Sequence, residues 1–216
     1  MSLSPKNSAH KLAGSVIALL ALTLAACGGG SARPAEGDMA LGAAEGAKVT
    51  VIEYASPTCP HCALWQKNTW PAFKAQYVDT NKVRYIFREL PTPPVDVATA
   101  GILLARCAGP DKYFDVMHEL LANQDEWRSG ALSPSASLLK TANTFGFNQE
   151  QYTACITNPD NIAALEKRIK AATDDGVNGT PMFKVNGVDV ITPGSDEARN
   201  CPTSPRPSTQ HWPNRP

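Results

Sequence analysis

The chain has 216 residues, 43% of them hydrophobic and 19% charged, enough for one compact domain with or without an inserted subdomain. Lys and Arg number 20, as do Asp and Glu, for a formal net charge of +0, so the basic surplus of a nucleic-acid binder is missing. The composition is too apolar and too weakly charged for wholesale disorder, and no segment beyond the N-terminal leader is apolar for long enough to span a bilayer.

Lys6, His10 and Lys11 precede an apolar run over 12–26 that ends in Leu24-Ala25-Ala26-Cys27. A basic start, a short apolar run and small residues at its end read as an export signal over 1–26. The run is shorter than the roughly 20 residues a spanning helix needs. Its last four residues resemble the lipobox of bacterial lipoproteins, in which the cysteine becomes the lipidated first residue of the mature chain. An ordinary signal cut nearby, with Cys27 incidental, is the plainer alternative; the small residues abutting Cys27 favour the lipoprotein. Residues 27–39 then make a Gly-rich flexible tether that stands the domain off a bacterial membrane. Export places Cys59, Cys62, Cys107, Cys155 and Cys201 where disulfides persist.

Residues 48–55 are a β-rich run long enough for a buried strand. Ser56-Pro57-Thr58 is a turn, and a helix opens around Cys59-Pro60, where a proline's missing N–H is not needed. Pro71 kinks or restarts that helix. Residues 82–90 form a second strand, which makes a βαβ unit with a parallel pair. A helical region follows. Residues 95–108 carry Val97, Gly101, Leu104 and Ala108 on one stripe, 112–123 form a further helix, and Ser133-Pro134 and Asn148 with Gln151 are helix starts. Asn158-Pro159 opens a last helix with Ile162, Leu165, Ile169 and Ala172 on one face. Residues 181–185 and 188–191 flank Asn186-Gly187, the strongest two-residue hairpin signal. The order is that of an α/β sheet domain interrupted by a helical insertion.

Cys59-Pro60-His61-Cys62 carries the chemistry. Two cysteines two residues apart at a helix start can close a small disulfide within one turn, and the helix N-terminus favours a thiolate at the first. A lowered thiol pKa also makes that sulfur a better leaving group, and His61 can add positive charge beside it. A zinc half-site would need a second Cys or His pair at ligand spacing, which the chain lacks. A purely structural bond gains little from so short a loop. A redox disulfide is the reading that fits, with no metal.

The stretch from Val51 through Glu53 and Tyr54 to Cys59-Pro60-His61-Cys62 resembles the active-site strand and helix of DsbA-type thiol:disulfide oxidoreductases. Gly179-Thr180-Pro181-Met182-Phe183 looks like their cis-proline loop, and the helical insertion matches their build. The resemblance implies a thioredoxin-like sheet domain with an inserted all-helical subdomain. Its first part is 40–93, the insertion 94–158 and its second part 159–194. It also implies that Cys59 is an exposed nucleophile, Cys62 the more buried resolving cysteine, and Pro181 a cis-proline packed over the disulfide. Thr180 would pair its backbone with a substrate peptide. Glu53 would be a buried carboxylate that shuttles a proton to or from Cys62; the plainer view, a strand-end acid facing solvent, suits a central strand poorly. Cys107 and Cys155 both fall in the insertion, where a structural bond between them is favoured over two free thiols. Trp65 reads as core-facing.

After the hairpin the chain departs from the family. In place of a covering helix it has a tail, 195–216, with Pro202, Pro205, Pro207, Pro213 and Pro216; disorder is expected from about Asn200, and Cys201 has no assigned partner. With the lipobox at Cys27, the expectation is a periplasmic, lipid-anchored monomer. It would oxidise reduced or unfolded exported proteins and be reoxidised by a quinone-linked membrane oxidase of the DsbB type, with no cofactor of its own. The alternatives are a reductase or isomerase kept reduced by a membrane electron donor, and a non-catalytic lipoprotein holding a soft metal on Cys59 and Cys62.

Overall fold

The computed structural model describes Met1 and residues 34–190. The export signal, Cys27, most of the tether, the 195–216 tail and Cys201 lie outside the described residues. Strands β1 (Met39–Gly42), β2 (Thr50–Ala55), β3 (Arg84–Glu89), β4 (Met182–Val185) and β5 (Val188–Val190) form one mixed sheet in the order β1-β3-β2-β4-β5. β2 runs parallel to β3 and antiparallel to β4, so the strand before the CPHC motif is paired on both sides. Every residue of β2 is buried, which is why it reads as a near-continuous apolar run.

Helix α1 (Pro60–Asn68) follows β2. It stops at Thr69, and the chain restarts as α2 (Trp70–Phe73), with Pro71 in its first turn, and a π-helical turn over Lys74–Val78. The proline thus restarts rather than ends the helical run. Helices α3 (Val95–Cys107), α4 (Pro110–Ala122), α5 (Gln124–Arg128), α6 (Pro134–Thr144) and α7 (Gln149–Ile156) come next, then α8 (Pro159–Asp174). The caps read from the sequence act as such. Ser133 accepts from the Ala136 N–H, Asn148 and Gln151 form a reciprocal capping box, and Asn158 accepts from the Asp160 and Asn161 N–H groups. The β4–β5 turn has positive φ at both Asn186 and Gly187, as a two-residue turn matched to strand twist requires. Asn186 also ties the hairpin to β2, accepting the Thr50 N–H at 2.8 Å and donating its own N–H to the Thr50 carbonyl at 2.9 Å.

Alternation along the strands divides the core in two. Val51, Ala55, Tyr85, Phe87, Phe183 and Val185 face α1 and the insertion. Ile52, Tyr54 and Ile86 face the other way and pack with Ala172 of α8 and Val177. Glu89, at the end of β3, follows Tyr85 and Phe87 on the first of these faces and is buried. Arg106 of α3 and Arg168 of α8 pair with its two oxygens, and Tyr113 of α4 donates a hydrogen bond at 2.9 Å. A carboxylate this deep requires such partners, and together they bind the insertion and α8 to the sheet.

β1 is the element the sequence reading did not anticipate; it assigned residues through 39 to the tether. Met-Ala-Leu-Gly has little intrinsic strand preference, and the strand exists because β3 offers an edge, with Met39 opposite Phe87 and Gly42 opposite Arg84. Just before it, Asp38 makes a two-pronged pair with Arg88 at 2.8 and 2.9 Å. Gly42 closes the strand at φ 80°, where a Cβ would come within 2.5 Å of the Val83 carbonyl oxygen. The short α5, with only polar residues and one Trp, was likewise invisible to periodicity.

Within the insertion Cys107, at the end of α3, and Cys155, in α7, are joined by a disulfide across a sequence separation of 48. Closing a loop of that length constrains the unfolded chain by up to about 4 kcal/mol. Replacing both cysteines by alanine is expected to lower the unfolding free energy by about 2–4 kcal/mol in urea titrations, while Cys59 and Cys62 remain able to exchange with glutathione.

Candidate active site

The end of β2 delivers the chain into the turn Ser56-Pro57-Thr58, and that turn is held on hydroxyls. Ser56 Oγ accepts the Thr92 N–H at 3.1 Å, and Thr58 Oγ1 donates to the Thr92 carbonyl at 2.7 Å. Ser56 and Thr58 are buried, so these bonds satisfy polar groups that have no water to turn to. Thr92 escaped the sequence reading because it lies 34 residues away, in the loop after β3.

Cys59 is the N-cap of α1. Its backbone is extended, φ −77° and ψ 119°, and its sulfur accepts the Cys62 N–H at 3.3 Å. A sulfur therefore fills the place usually taken by a Ser or Asp oxygen, at the helix N-terminus where negative charge is favoured. Pro60 occupies the first helical position and, like His61, is exposed. The Thr180–Pro181 bond is cis, and Cys59 Sγ lies 3.3 Å from the Thr180 carbonyl oxygen, to which the thiol can donate.

Cys59 and Cys62 are free thiols in this structure, and their environments differ in the expected order. Cys62 is 0% exposed. Cys59, however, is only 5% exposed, which corrects the expectation of an exposed nucleophile. The cause is tertiary: the Thr180–Pro181 loop approaches its sulfur from the other end of the chain. The thiols also titrate apart. The hydrogen bond from Cys62 is the largest influence on Cys59, and with the hydrogen bond to Thr180 and the backbone N–H groups of Cys62 and His61 it outweighs burial and brings Cys59 down to about 6. Burial first, and then the neighbouring Cys59, pushes the Cys62 thiol well above its ordinary value.

Glu53 lies in the middle of β2 and is 2% exposed, so the solvent-facing alternative is excluded. Burial raises its carboxyl to about 8, against the pull of a hydrogen bond from the Tyr85 hydroxyl. It lies close enough to Cys62 for its charge to raise that thiol further. Tyr85 is the residue most clearly missed by sequence reasoning. It is one aromatic among several in a β-run, and only the parallel β2–β3 register brings its hydroxyl to Glu53. Its ring is boxed by Trp70 at 4.6 Å, Trp65 at 6.4 Å, and Phe73 and Phe114 each at 6.0 Å. Trp65 is half-buried in this aromatic group, 4.9 Å from Phe183, rather than presented to solvent. Among the described residues no three His, Cys, Asp or Glu side chains are grouped to hold a metal, and no helix is long and apolar enough to cross a membrane.

A carboxyl whose folded pKa is raised stabilises the fold fully below its unfolded value and loses that contribution as pH rises through the folded value. For Glu53 the window runs from about 4.5 to about 8. Glu53→Gln keeps a group for the Tyr85 hydroxyl to bond and removes the titration. The variant is therefore expected to gain stability over the parent across that window, by roughly 2 kcal/mol or more at its upper end. Denaturant unfolding of both proteins as dithiols at several pH values measures this; a difference independent of pH refutes it.

Comparison with known proteins places this geometry. The family model described as Thioredoxin matches residues 34–200. A Rickettsia conorii protein named as a protein-disulfide oxidoreductase is 38% identical over 157 residues, covering 71% of this chain and 54% of its own length. A Rickettsia bellii protein of the same description is 36% identical over 155 residues, covering 71% and 58%. The chain thus spans little more than half the length of these two relatives. Among solved structures, Wolbachia pipientis alpha-DsbA1 is similar with a TM-score of 0.64 and 29% identity, over 70% of this chain and 76% of that one. On a family model matched across most of the chain and a DsbA structure with the same build, the chain belongs to the thioredoxin family, in its DsbA type.

Proposed function

We propose that the chain is a thiol:disulfide oxidoreductase of the bacterial cell envelope that donates a Cys59–Cys62 disulfide to exported proteins. The observation that carries the reading is the split between two thiols of one helical turn. Cys59 is an N-cap whose thiolate is stabilised, and Cys62 is a buried thiol kept protonated beside a buried carboxyl.

The exchange runs in two displacements. A substrate thiolate attacks Cys59 Sγ of the oxidised protein, the Cys59–Cys62 bond breaks, and a mixed disulfide forms between substrate and Cys59. The electron pair goes to Cys62, a poor leaving group as a bare thiolate. Glu53 holds a proton at neutral pH and delivers it to that sulfur. A second substrate thiolate then attacks the substrate sulfur of the mixed disulfide, and Cys59 departs as the stabilised thiolate. The substrate dithiol is oxidised and the Cys59–Cys62 pair reduced. During the mixed disulfide the Thr180 backbone pairs with the extended substrate chain beside Pro181, and Pro60 and His61, exposed at the helix start, line the approach.

A stabilised reduced state makes the disulfide a strong oxidant, which favours donation over the reductase and isomerase alternative. In this reading reduced exported proteins are the substrates. A quinone-linked membrane oxidase of the DsbB type removes the electrons, and lipid on Cys27 holds a monomer at the membrane facing the periplasm. The soft-metal reading draws no support from any particular feature of the site.

Two measurements test the proposal. Equilibration of the protein with glutathione buffers, with each cysteine followed by alkylation and mass spectrometry, is expected to give a Cys59–Cys62 potential near about −120 mV. A value near about −270 mV overturns the donor direction. The rate of Cys59 alkylation against pH is expected to reach half its plateau near 6, where an ordinary cysteine does so near 9; a midpoint above 8 removes the basis for the mechanism.

A further inference from the structure

The active-site turn is short of its own hydrogen-bond donors. In Pro57-Thr58-Cys59-Pro60 two of four residues have no N–H, yet Pro57, Thr58 and Cys59 are buried. Gln124, the first residue of α5, meets that shortage. Its Nε2 donates to the Pro57 carbonyl at 2.8 Å and to the Cys59 carbonyl at 3.0 Å, so both amide hydrogens go to the turn. The Cys59 carbonyl also accepts the Ala63 N–H at 3.1 Å, the first bond of α1. Gln124 is 3% exposed and so is out of a substrate's reach.

We propose that Gln124 is a positioning residue of the exchange reaction: from the helical insertion it clamps the carbonyls on either side of Thr58 and thereby holds the Cys59 sulfur in its N-cap geometry. Two carbonyls fixed by one planar amide leave the Cys59 backbone little freedom. The cap bond from the Cys62 N–H to the sulfur needs Cys59 extended while the residue after it is already helical. Without the clamp the Pro57 carbonyl loses this donor, and the turn can rotate to seek another. The sulfur then drifts from the N–H groups that stabilise its thiolate. The insertion thus contributes to the redox chemistry of a cysteine pair lying wholly in the sheet domain.

The inference rests on the oxidoreductase reading, and the test separates the two. Gln124→Met keeps the length of the side chain and removes both donors. Relative to the parent, the variant's glutathione equilibrium is expected to shift about three- to tenfold toward the protein disulfide. The midpoint pH of Cys59 alkylation should rise, the proton concentration at the midpoint falling by a similar factor. A control, Glu126→Gln, cuts the ion pair of the same short helix with Lys140 and is expected to leave both values at the parent's. A variant within twofold of the parent in both readouts, or a control that shifts as far, overturns the proposal. Should Gln124→Met fail to fold, the wild-type protein decides. The Gln124 side-chain amide resonances in ¹⁵N-labelled protein are expected to titrate with the Cys59 midpoint and to differ between dithiol and disulfide. Resonances unmoved in both comparisons overturn it. If the wild-type pair does not exchange with glutathione at all, the oxidoreductase reading itself fails, whatever Gln124 does.

Discussion

A helix begins with backbone N–H groups that have no partner of their own turn, and an acceptor must be brought to them. In α1 that acceptor is the sulfur of Cys59, bonded to the N–H of Cys62. The same bond starts the helix, places the two cysteines within one turn of each other, and puts the first sulfur where a helix favours negative charge. Cap geometry and thiol reactivity are therefore one property here. The turn before α1 is held from several distant places: Thr92 after β3, Thr180 before β4, and Gln124 in the insertion.

The second constraint is the carboxyl behind the pair. Glu53 lies on a strand flanked by β3 and β4, where water does not compete, so its neutral form is strongly favoured. Its single hydrogen bond from Tyr85 pulls the other way without offsetting burial. The ring of Tyr85, boxed by four aromatic side chains, positions that bond, and the buried acid lies where its charge bears on the buried Cys62 thiol. Glu89, one strand over and also buried, is treated in the opposite way. Two arginines and a tyrosine satisfy it, and it serves to join β3, the insertion and α8. Two glutamates of similar depth thus differ in environment, because only one is given positive charge.

The chain by itself determined what depends on near neighbours. The CPHC spacing, the strand before it, the caps at Ser133, Asn148 and Asn158 and the Asn186-Gly187 turn all act within a few residues, so composition and period reveal them. The resemblance to the DsbA family followed from those same local motifs, and the parallel β2–β3 pair followed from the βαβ order. Tertiary structure decided the rest, and the reason is separation along the chain. β1 is a strand only because β3 has an open edge; Tyr85 reaches Glu53 only through strand register. Cys59 is covered because residues 121 positions later fold over it, and Gln124 finds two carbonyls more than sixty residues earlier. A polar side chain in an unremarkable helix carries no mark of such a contact, since its partners are backbone atoms that every sequence has.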